Sequence, residues 1–126
     1  MPVSYHFDGR VIVVRMNGMY ATADVRATLT AAFADPCCAN AAGLLFDIRG
    51  SRSIVQRTAD EVRAMAQFIA SHGDRFSRRL ALVADSGAAF GLMRLGAVAV
   101  EQQGIATAVF RDESDAEEWL GAERTA

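Results

Sequence analysis

The sequence predicts an α/β domain built on a mixed five-stranded sheet, with the element order ββαβαβαβα. An Asp-Gly pair at residues 8 and 9 separates two apolar runs, which is typical of a β-hairpin. Short apolar runs recur at residues 43–48, 80–84 and 105–110. Helix-length segments separate these runs, so the later strands are expected to be parallel and joined by right-handed crossovers.

Composition limits the classes of protein to which the chain can belong. Its 126 residues, with 52% hydrophobic and 22% charged residues, predict a single folded domain over residues 1–126. A formal net charge of −2 gives no electrostatic reason to expect nucleic acid or an anionic membrane as a partner. The sequence shows no signal-peptide pattern and no apolar run long enough to span a membrane. We therefore expect a cytoplasmic location, which the neighbouring thiols Cys37 and Cys38 suit.

All 13 basic residues of the chain are arginines. The absence of lysine from the sequence excludes Schiff-base chemistry, anchoring of pyridoxal phosphate and a P-loop lysine. Since every basic position is arginine, an individual arginine is weak evidence for phosphate binding.

The N-terminal part predicts a hairpin and a first helix. Residues 3–7 and 10–16 form the strands, joined by a two-residue type I′ turn at Asp-Gly, and residues 11–14 of the second strand are apolar on both faces. Thr22 is the predicted N-cap of the helix, and Asp24 lies in its first turn, where a carboxylate favours the helix dipole. Asp35-Pro36 ends the helix.

A second strand–helix unit follows. The strand at residues 43–48 leads into the basic, hydroxyl-rich loop Arg49-Gly50-Ser51-Arg52-Ser53. The next helix is predicted to begin at Thr58, because Thr58 and Glu61 have the spacing of a capping box. Its core face comprises Val62, Met65, Phe68 and Ile69.

The stretch from residue 78 to residue 103 is the most apolar of the chain. A strand at 80–84 precedes a helix at 88–100 in which Arg94 is the single charged residue. A surface helix normally keeps a polar face, so a second copy of the chain is an expected cover, and we predict a homodimer. The candidate interface residues are Phe90, Leu92, Met93 and Leu95.

Two glycines interrupt this apolar helix. Gly91 and Gly96 each cost about 1 kcal/mol of helix stability relative to alanine. A close approach of the helix backbone to the sheet, to another chain or to an apolar ligand would offset that cost.

The last strand–helix unit is short. Residues 105–110 form the strand, and Ser114 with Glu117 predicts a capping box at the start of the terminal helix. Trp119 and Leu120 are expected to lie on the sheet.

Several segments resemble one family. They are the strand LALVA at 80–84, GLMR at 91–94, VFRD at 109–112, AEEWL at 116–120 and, more loosely, FDI at 46–48. With these segments the chain resembles the small bacterial STAS-like, or SpoIIAA-like, proteins related to the sporulation anti-sigma-factor antagonist. The resemblance covers nearly the whole length. It implies a STAS-like α/β fold and a non-enzymatic regulatory role that is exercised through protein–protein contacts.

The resemblance also implies candidate phosphorylation sites. In the true antagonists a partner kinase phosphorylates a serine at the start of the helix that follows the Asp-ended strand. The Asp-Ser-Ser-Gly type of sequence found there is missing from this chain. Thr58 occupies the equivalent helix start, and Ser51 and Ser53 lie in the preceding loop. The competing interpretation is that Thr58 is only an N-cap, and the capping box with Glu61 explains Thr58 fully.

Polar residues follow two of the predicted parallel strands. Asp47, and Asp85 with Ser86 and Gly87, lie at carboxyl ends of strands, where open α/β sheets usually bind ligands. Asp85-Ser86-Gly87 also opens a helix and is a candidate anion-binding turn. The alternative is that these residues only cap the helix and tighten a turn.

No cofactor, metal or catalytic residue is expected. His6 and His72 lack metal-ligand spacing to each other or to a carboxylate pair. Ser86 lacks the Gly-x-Ser-x-Gly frame of a nucleophile elbow.

Three hypotheses of function follow, led by the regulatory interaction module. The second is a binder of a small apolar, lipid-like molecule or a nucleotide. It requires an enclosed pocket of roughly a few hundred Å³ near the apolar helix. Its expected lining is Phe90, Met93, Met65 and Phe68. The third is a small hydrolase that uses Asp47, Asp85 and Ser86, which requires these side chains to converge within hydrogen-bond reach.

Overall fold

A mixed sheet with helices on both faces forms the structure, a computed structural model that describes residues 2–85 and 87–125, of which 122–125 by backbone only. The strands are β1 Val3–Phe7, β2 Val11–Gly18, β3 Gly43–Ser51, β4 Arg79–Val83 and β5 Ala106–Phe110. The α-helices are α1 Thr22–Ala34, α2 Ala59–Ala70, α3 Gly87–Glu101 and α4 Glu113–Thr125. Short 3-10 turns occupy Pro36–Cys38, Ile54–Gln56 and Gly73–Phe76.

The strands lie in the order β1-β2-β3-β4-β5. β1 and β2 pair antiparallel, and each later pair is parallel. The predicted element order and the mixed five-stranded sheet are therefore confirmed. Because a parallel pair needs a crossover, each of α1, α2 and α3 connects one strand to the next.

Alternating side chains divide the core into two layers. Residues 11–14 are at most 1% exposed, because neighbouring side chains on a strand point to opposite faces and both faces are covered. The layer under α1, α2 and α3 includes Ile12, Val14, Leu44, Phe46, Leu80 and Leu82. The layer under α4 includes Val11, Val13, Leu45, Ala81 and Val83. This double burial explains why the central strands read as continuous apolar runs.

The hairpin is present, but the predicted two-residue type I′ turn is wrong. Phe7 pairs with Ile12, and of the loop residues only Gly9 has a positive φ, at +94°. The Asp8 carboxylate accepts hydrogen bonds from the backbone N–H groups of Arg10 (2.9 Å) and Val11 (2.7 Å). The Asp8 side chain thus satisfies backbone N–H groups that a tighter turn would have paired with backbone carbonyl groups.

Of the three predicted helix starts, the one at Thr58 is confirmed. The Thr58 hydroxyl accepts from the Glu61 N–H at 3.1 Å, and the Glu61 carboxylate accepts from the Thr58 N–H at 2.9 Å. This reciprocal pair satisfies two of the donors that a helix start leaves unpaired. The same contact lowers the pKa of the Glu61 carboxyl.

The other two starts are shifted. Ala21, not Thr22, is the N-cap of α1, and its N–H donates to the Asp24 carboxylate at 2.9 Å. The predicted box of Ser114 and Glu117 is also wrong, because α4 begins at Glu113 and the Asp112 carboxylate accepts from the Asp115 N–H at 2.8 Å. In both α1 and α4, the hydrogen bond to an aspartate side chain determines where the helix starts.

Gly96 fits the predicted close approach, whereas Gly91 does not. A Cβ at Gly96 would lie 3.2 Å from Val62 Cγ1, so the missing side chain lets α3 pack closely on α2. A Cβ at Gly91 would meet nothing within 4 Å, and nothing in the structure explains the glycine there.

A second glycine, Gly43, lets helix α4 pack closely on the sheet. Leu120 is fully buried, and a Cβ built on Gly43 would lie 2.7 Å from Leu120 Cδ2. Trp119 packs against Phe110 with ring centroids 5.7 Å apart, and the Arg79 guanidinium stacks 4.1 Å above its ring. As predicted, Trp119 and Leu120 attach the terminal helix to the sheet.

We expect Gly43→Ala and Leu120→Ala to be destabilising singly and less than additive together. The first overpacks the α4 interface, at a cost of about 1–3 kcal/mol, and the second leaves a cavity, at a cost of about 2–5 kcal/mol. In the double variant the new methyl group occupies space that the leucine vacated. Urea unfolding of the four proteins measures the coupling, and strict additivity would contradict the contact.

Candidate functional site

Four charged side chains meet at the carboxyl end of β2 and β3. Arg15 on β2 is the register partner of Asp47 on β3. Arg49 follows two residues later on the same side of β3 as Asp47, since side chains alternate along a strand. Glu113, the first residue of α4, completes the group. We call Arg15, Asp47, Arg49 and Glu113 the charged cluster.

Asp47 is the acceptor at the centre of the charged cluster. Its side chain is 9% exposed and both of its oxygens are occupied. The Arg49 guanidinium donates to both of them, at 2.8 Å each, and the Arg49 N–H donates at 3.1 Å. Arg15 Nη1 donates to Asp47 Oδ2 as well.

Glu113 bridges the two arginines from the other side. Arg15 donates to its two oxygens at 2.7 and 2.9 Å, in the parallel geometry that suits guanidinium and carboxylate. Arg49 Nη2 donates to Glu113 Oε1 at 3.2 Å. The charged cluster therefore ties β2, β3 and α4 together.

Every pKa shift in the charged cluster favours the ionised form. Hydrogen bonds from Arg15 lower the pKa of Glu113 against the effect of burial. Burial alone would raise the pKa of Asp47, but the hydrogen bonds and charge of Arg49, with the charge of Arg15, lower it. The pKa values of both arginines are raised, mainly by hydrogen bonds to Glu113 and Asp47 respectively. A general acid or base needs a pKa near the working pH, and these shifts lead away from it.

The sequence analysis identified Asp47 but missed Arg15 and Glu113. The available signal was an arginine at the end of a strand that is otherwise apolar and interior. Strand register would have placed Arg15 beside Asp47. Glu113 had no comparable signal, because the predicted N-cap, Ser114, lies two residues after Asp112, the N-cap in the structure.

Among the described residues, no hydrogen bond or ion pair joins the other ligand-binding candidates to the charged cluster, although the charge of Asp85 contributes to the raised pKa of Arg49. Asp85 is exposed at the end of β4, and its backbone carbonyl accepts from Arg111 Nη1 at 3.5 Å. Gly87 is exposed and begins α3. Ser86 lies outside the described residues. The predicted anion-binding turn therefore stays a prediction.

The three phosphorylation candidates differ in access. Ser53 is fully buried, and its hydroxyl accepts from the Tyr20 N–H at 3.3 Å. Ser51 is half-buried, with its hydroxyl 2.7 Å from the Tyr20 hydroxyl and 3.1 Å from the Ile54 N–H. Thr58 is exposed. Of the three, Thr58 presents the hydroxyl that a kinase can reach without opening the fold.

Two loops at this end of the sheet are held together. The Arg52 N–H donates to the Gly18 carbonyl at 2.9 Å, and Arg57 Nη2 donates to the Tyr20 carbonyl at 2.5 Å. The Arg57 guanidinium also stacks 5.3 Å above the Tyr20 ring. These contacts join the β2–α1 loop to the β3–α2 loop in one arrangement.

The joined loops expose apolar side chains. Met19, in the first loop, is 53% exposed, and Val55, in the second, is 51% exposed. Among the described residues, the only other large hydrophobic side chain of similar exposure is Val98 on α3. We call Met19 and Val55, with their two loops, the loop surface.

An apolar cleft with about 80 Å³ of open space lies between the sheet and helices α1, α2 and α3. Met65 and Met93 line it, as predicted, together with Ala66 and Ile69. The polar or charged side chains at the cleft include Tyr20, Thr22, Arg57 and Glu61. The cleft is smaller than the pocket that the binding hypothesis required, and its lining does not include the predicted Phe90 and Phe68.

The predicted interface residues of α3 are largely covered by their own chain. Met93 is 7% exposed and faces the cleft, so its prediction as an interface residue is wrong. Phe90 and Leu92 are half-buried and pack against the core, and Leu95 is half-buried. The exposed apolar residue of α3 is Val98, which the sequence analysis did not single out.

The histidines lie apart from these sites. His6 is exposed on β1. His72 stacks on Phe33 with ring centroids 5.0 Å apart, and its Nδ1 lies 3.0 Å from the Phe68 carbonyl near the end of α2. Among the side chains of residues 2–85 and 87–121 there is no group of three or more His, Cys, Asp or Glu residues that could hold a metal ion. No described helix is both long and apolar enough to cross a membrane.

Asp47→Asn is expected to lower the free energy of unfolding at pH 7 by about 2 kcal/mol, because it leaves two arginines without their shared carboxylate. The folded pKa values of Asp47 and Glu113 are lowered, so their stabilisation is complete above about pH 5 and is lost as the pH falls through those values. The variant should therefore lose less stability on acidification.

Urea unfolding at several pH values between neutral and acidic measures both effects. Asp60→Asn is the matched control, because it removes the exposed pair with Arg63 and should leave stability nearly unchanged. Equal effects of the two substitutions would contradict a structural role for the charged cluster.

Comparison with known proteins agrees with this architecture. A family model described as SpoIIAA-like matches residues 11–121, which includes four of the five strands and the start of α4. Neither a comparison with curated proteins nor one with solved structures finds a match. With most of its length matched and a STAS-like mixed sheet, the chain belongs to the SpoIIAA-like family.

Proposed function

We propose that the protein is a non-enzymatic regulatory module of the cytoplasm that acts through protein contacts at the loop surface. The observation that carries the proposal is the exposure of Met19 and Val55 on two joined loops. Large apolar side chains that stay exposed on a folded domain can mark a protein–protein contact, and here they lie on two loops that hydrogen bonds hold together. Membership of the SpoIIAA-like family, in which regulation proceeds by protein interaction, supports the same reading.

Rigidity of the loop surface favours specific binding. The hydrogen bonds Arg52–Gly18 and Arg57–Tyr20, and the pair of the Ser51 and Tyr20 hydroxyls, hold both loops before any partner arrives. A preorganised surface loses less conformational entropy on association than a flexible one.

The charged cluster supports the non-enzymatic part of the proposal. Both oxygens of Asp47 are held by arginines, and the lowered pKa of its carboxyl opposes proton transfer near neutral pH. The hydrolase hypothesis needed Asp47 to act together with Asp85 and Ser86. Asp47 is instead part of the framework that positions the neighbouring loops.

Thr58 adds a candidate switch beside the loop surface. A phosphate on its hydroxyl would meet the N-terminal end of the α2 dipole, which favours negative charge. It would also lie against the Glu61 carboxylate, which now accepts from the Thr58 N–H. Phosphorylation would therefore disturb the capping box and change the charge at the rim of the loop surface.

Association of two copies is part of the same proposal. The homodimer predicted from the apolar helix now finds its support in Val98, which is 53% exposed on α3 and distant in sequence from the loop surface. Val98 belongs to neither loop of the loop surface, so a dimer through Val98 can be tested with substitutions that leave residues 19 and 55 unchanged.

We expect a photo-crosslinking amino acid at Val55 to give a discrete adduct with one cellular protein. The side chain of Val55 is half exposed on the loop surface, so a partner bound there comes within reach. Glu118, exposed on α4, is the matched control position and should give no such adduct. Gel mobility and peptide mass spectrometry identify the product, and labelling that is equal at both positions would contradict the proposed contact site.

Binding of a small apolar molecule is the second candidate function. The cleft under α3 favours it, because its wall is formed mainly by apolar side chains and includes two flexible methionines, Met65 and Met93. A nucleotide fits this lining less well, since it needs several convergent polar partners. The methionines would have to move to admit a ligand larger than the present space.

Decanoic acid is expected to raise the thermal unfolding midpoint if the cleft accepts an apolar chain, because a ligand that binds the folded state stabilises it. Ala66→Leu fills part of the cleft and should abolish the shift while retaining the fold, as judged by circular dichroism. An unchanged midpoint in the wild-type protein, or the same shift in both proteins, would exclude binding in the cleft.

A further inference from the structure

Strand β5 is an edge strand with one side unpaired. In the described sheet it pairs with β4 alone. The Ala106 N–H donates to the Arg78 carbonyl, and the Phe110 carbonyl accepts from the Ala84 N–H. Backbone groups alternate in direction along a strand, so those of Thr107 and Val109 face outward.

The outer edge of β5 carries none of the usual devices against pairing. Natural edge strands are protected by charged residues, proline or a bulge. The sequence Ala106–Phe110 contains neither a charged residue nor a proline, and its register with β4 is regular. The free edge is therefore chemically competent to pair with another strand.

A stripe of α3 residues runs beside the same edge. Phe90, Arg94, Val98 and Glu101 follow one another at intervals of three or four residues, which places them on one face of the helix. They line a groove of about 250 Å³ together with Thr107, Ala108 and Val109 of β5. We call this set the edge surface.

The helix and the strand of the edge surface run in opposite directions. The Arg111 guanidinium, just beyond the end of β5, lies 4.5 Å above the Phe90 ring, near the start of α3. Glu101, at the end of α3, is accordingly beside the start of β5. The middle of the helix stripe, near Val98, thus lies beside the middle of the strand, near Ala108.

We propose that the edge surface binds a second copy of this chain through antiparallel pairing of β5 with β5, centred on Ala108. In this register Thr107 lies opposite Val109 of the second copy. By symmetry, Val109 lies opposite Thr107 of the second copy. Each of these two pairs exchanges both backbone hydrogen bonds, which satisfies the outward backbone groups of Thr107 and Val109. The resulting dimer has the closed two-fold symmetry that is commonest among homodimers.

Charge complementarity selects a second copy over an unrelated strand. A two-fold axis through Ala108 and perpendicular to the sheet sets α3 antiparallel to α3 of the second copy, on the same side of the sheet. Arg94 then faces Glu101 of the second copy, and Glu101 faces its Arg94. Val98, the most exposed large hydrophobic residue of the helix, lies between the two ion pairs.

The inference rests on the homodimer part of the proposed function and specifies its interface. The edge surface shares no residue with the loop surface, so each can be tested while the other is intact.

A charge-reversal cycle tests the register. Sedimentation velocity over a wide range of protein concentration compares the wild-type chain with Arg94→Glu, Glu101→Arg and the double variant. Both positions are exposed, so the fold should tolerate each change. Each single substitution sets like charges opposite each other at both symmetric sites and should raise the dimer dissociation constant about tenfold or more. The double variant restores opposite charges and should recover the wild-type constant.

Amide hydrogen exchange gives a second readout. The N–H groups of Thr107 and Val109 should become protected as the dimer forms at higher concentration, because pairing buries their hydrogen bonds. The wild-type chain could form a dimer whose dissociation constant neither single substitution changes, while these amides stay unprotected. That result would overturn the edge interface but leave a homodimer through another surface. A wild-type chain that stays monomeric at millimolar concentration would overturn both. Crosslinking at Val55 reports on the partner surface separately.

Discussion

Burial of the central strands from both sides is the constraint on which the rest of the structure depends. Residues 11–14 lose nearly all solvent contact only because three helices cover one face of the sheet and α4 covers the other. Burying a valine or leucine side chain contributes about 1.5–3 kcal/mol, so this double layer supplies much of the stability available to a small domain. Polar chemistry is consequently confined to the ends of the strands, where the loops are wet and side chains can be charged.

The charged cluster and the loop surface are two consequences of that confinement. Arg15 and Asp47 lie where the apolar parts of β2 and β3 end, and Glu113 arrives there because α4 crosses the second face. Because their charges pair with one another, these residues stabilise the carboxyl ends of β2 and β3 and leave little net charge there. The neighbouring loops expose two large apolar side chains, Met19 and Val55, and these are the residues through which we propose that recognition occurs.

Sequence reasoning was sufficient for the architecture and insufficient for the site. Apolar runs and helical spacing identified all five strands and four helices, because periodicity reports directly on burial. Helix starts were less predictable: the N-caps are Ala21 in α1 and Asp112 in α4, whereas the sequence predicted Thr22 and Ser114. The charged cluster depends on strand register and on contacts between residues far apart in sequence, such as Arg15 and Glu113. Burial of Met93 and exposure of Val98 likewise depend on how α3 rotates against α2, which composition does not determine.

Covering of the second face by α4 alone has a consequence for synthesis of the protein. Until residues 113–120 leave the ribosome, Val11, Val13, Leu45, Ala81 and Val83 lack the cover that Ala116 and Leu120 of α4 provide on that side. The nascent sheet then presents a continuous apolar surface, of the kind that recruits chaperones or other unfinished chains. The fit between Leu120 and Gly43 cannot form until residue 120 has been synthesised, and it joins α4 to a strand residue that lies far earlier in the chain.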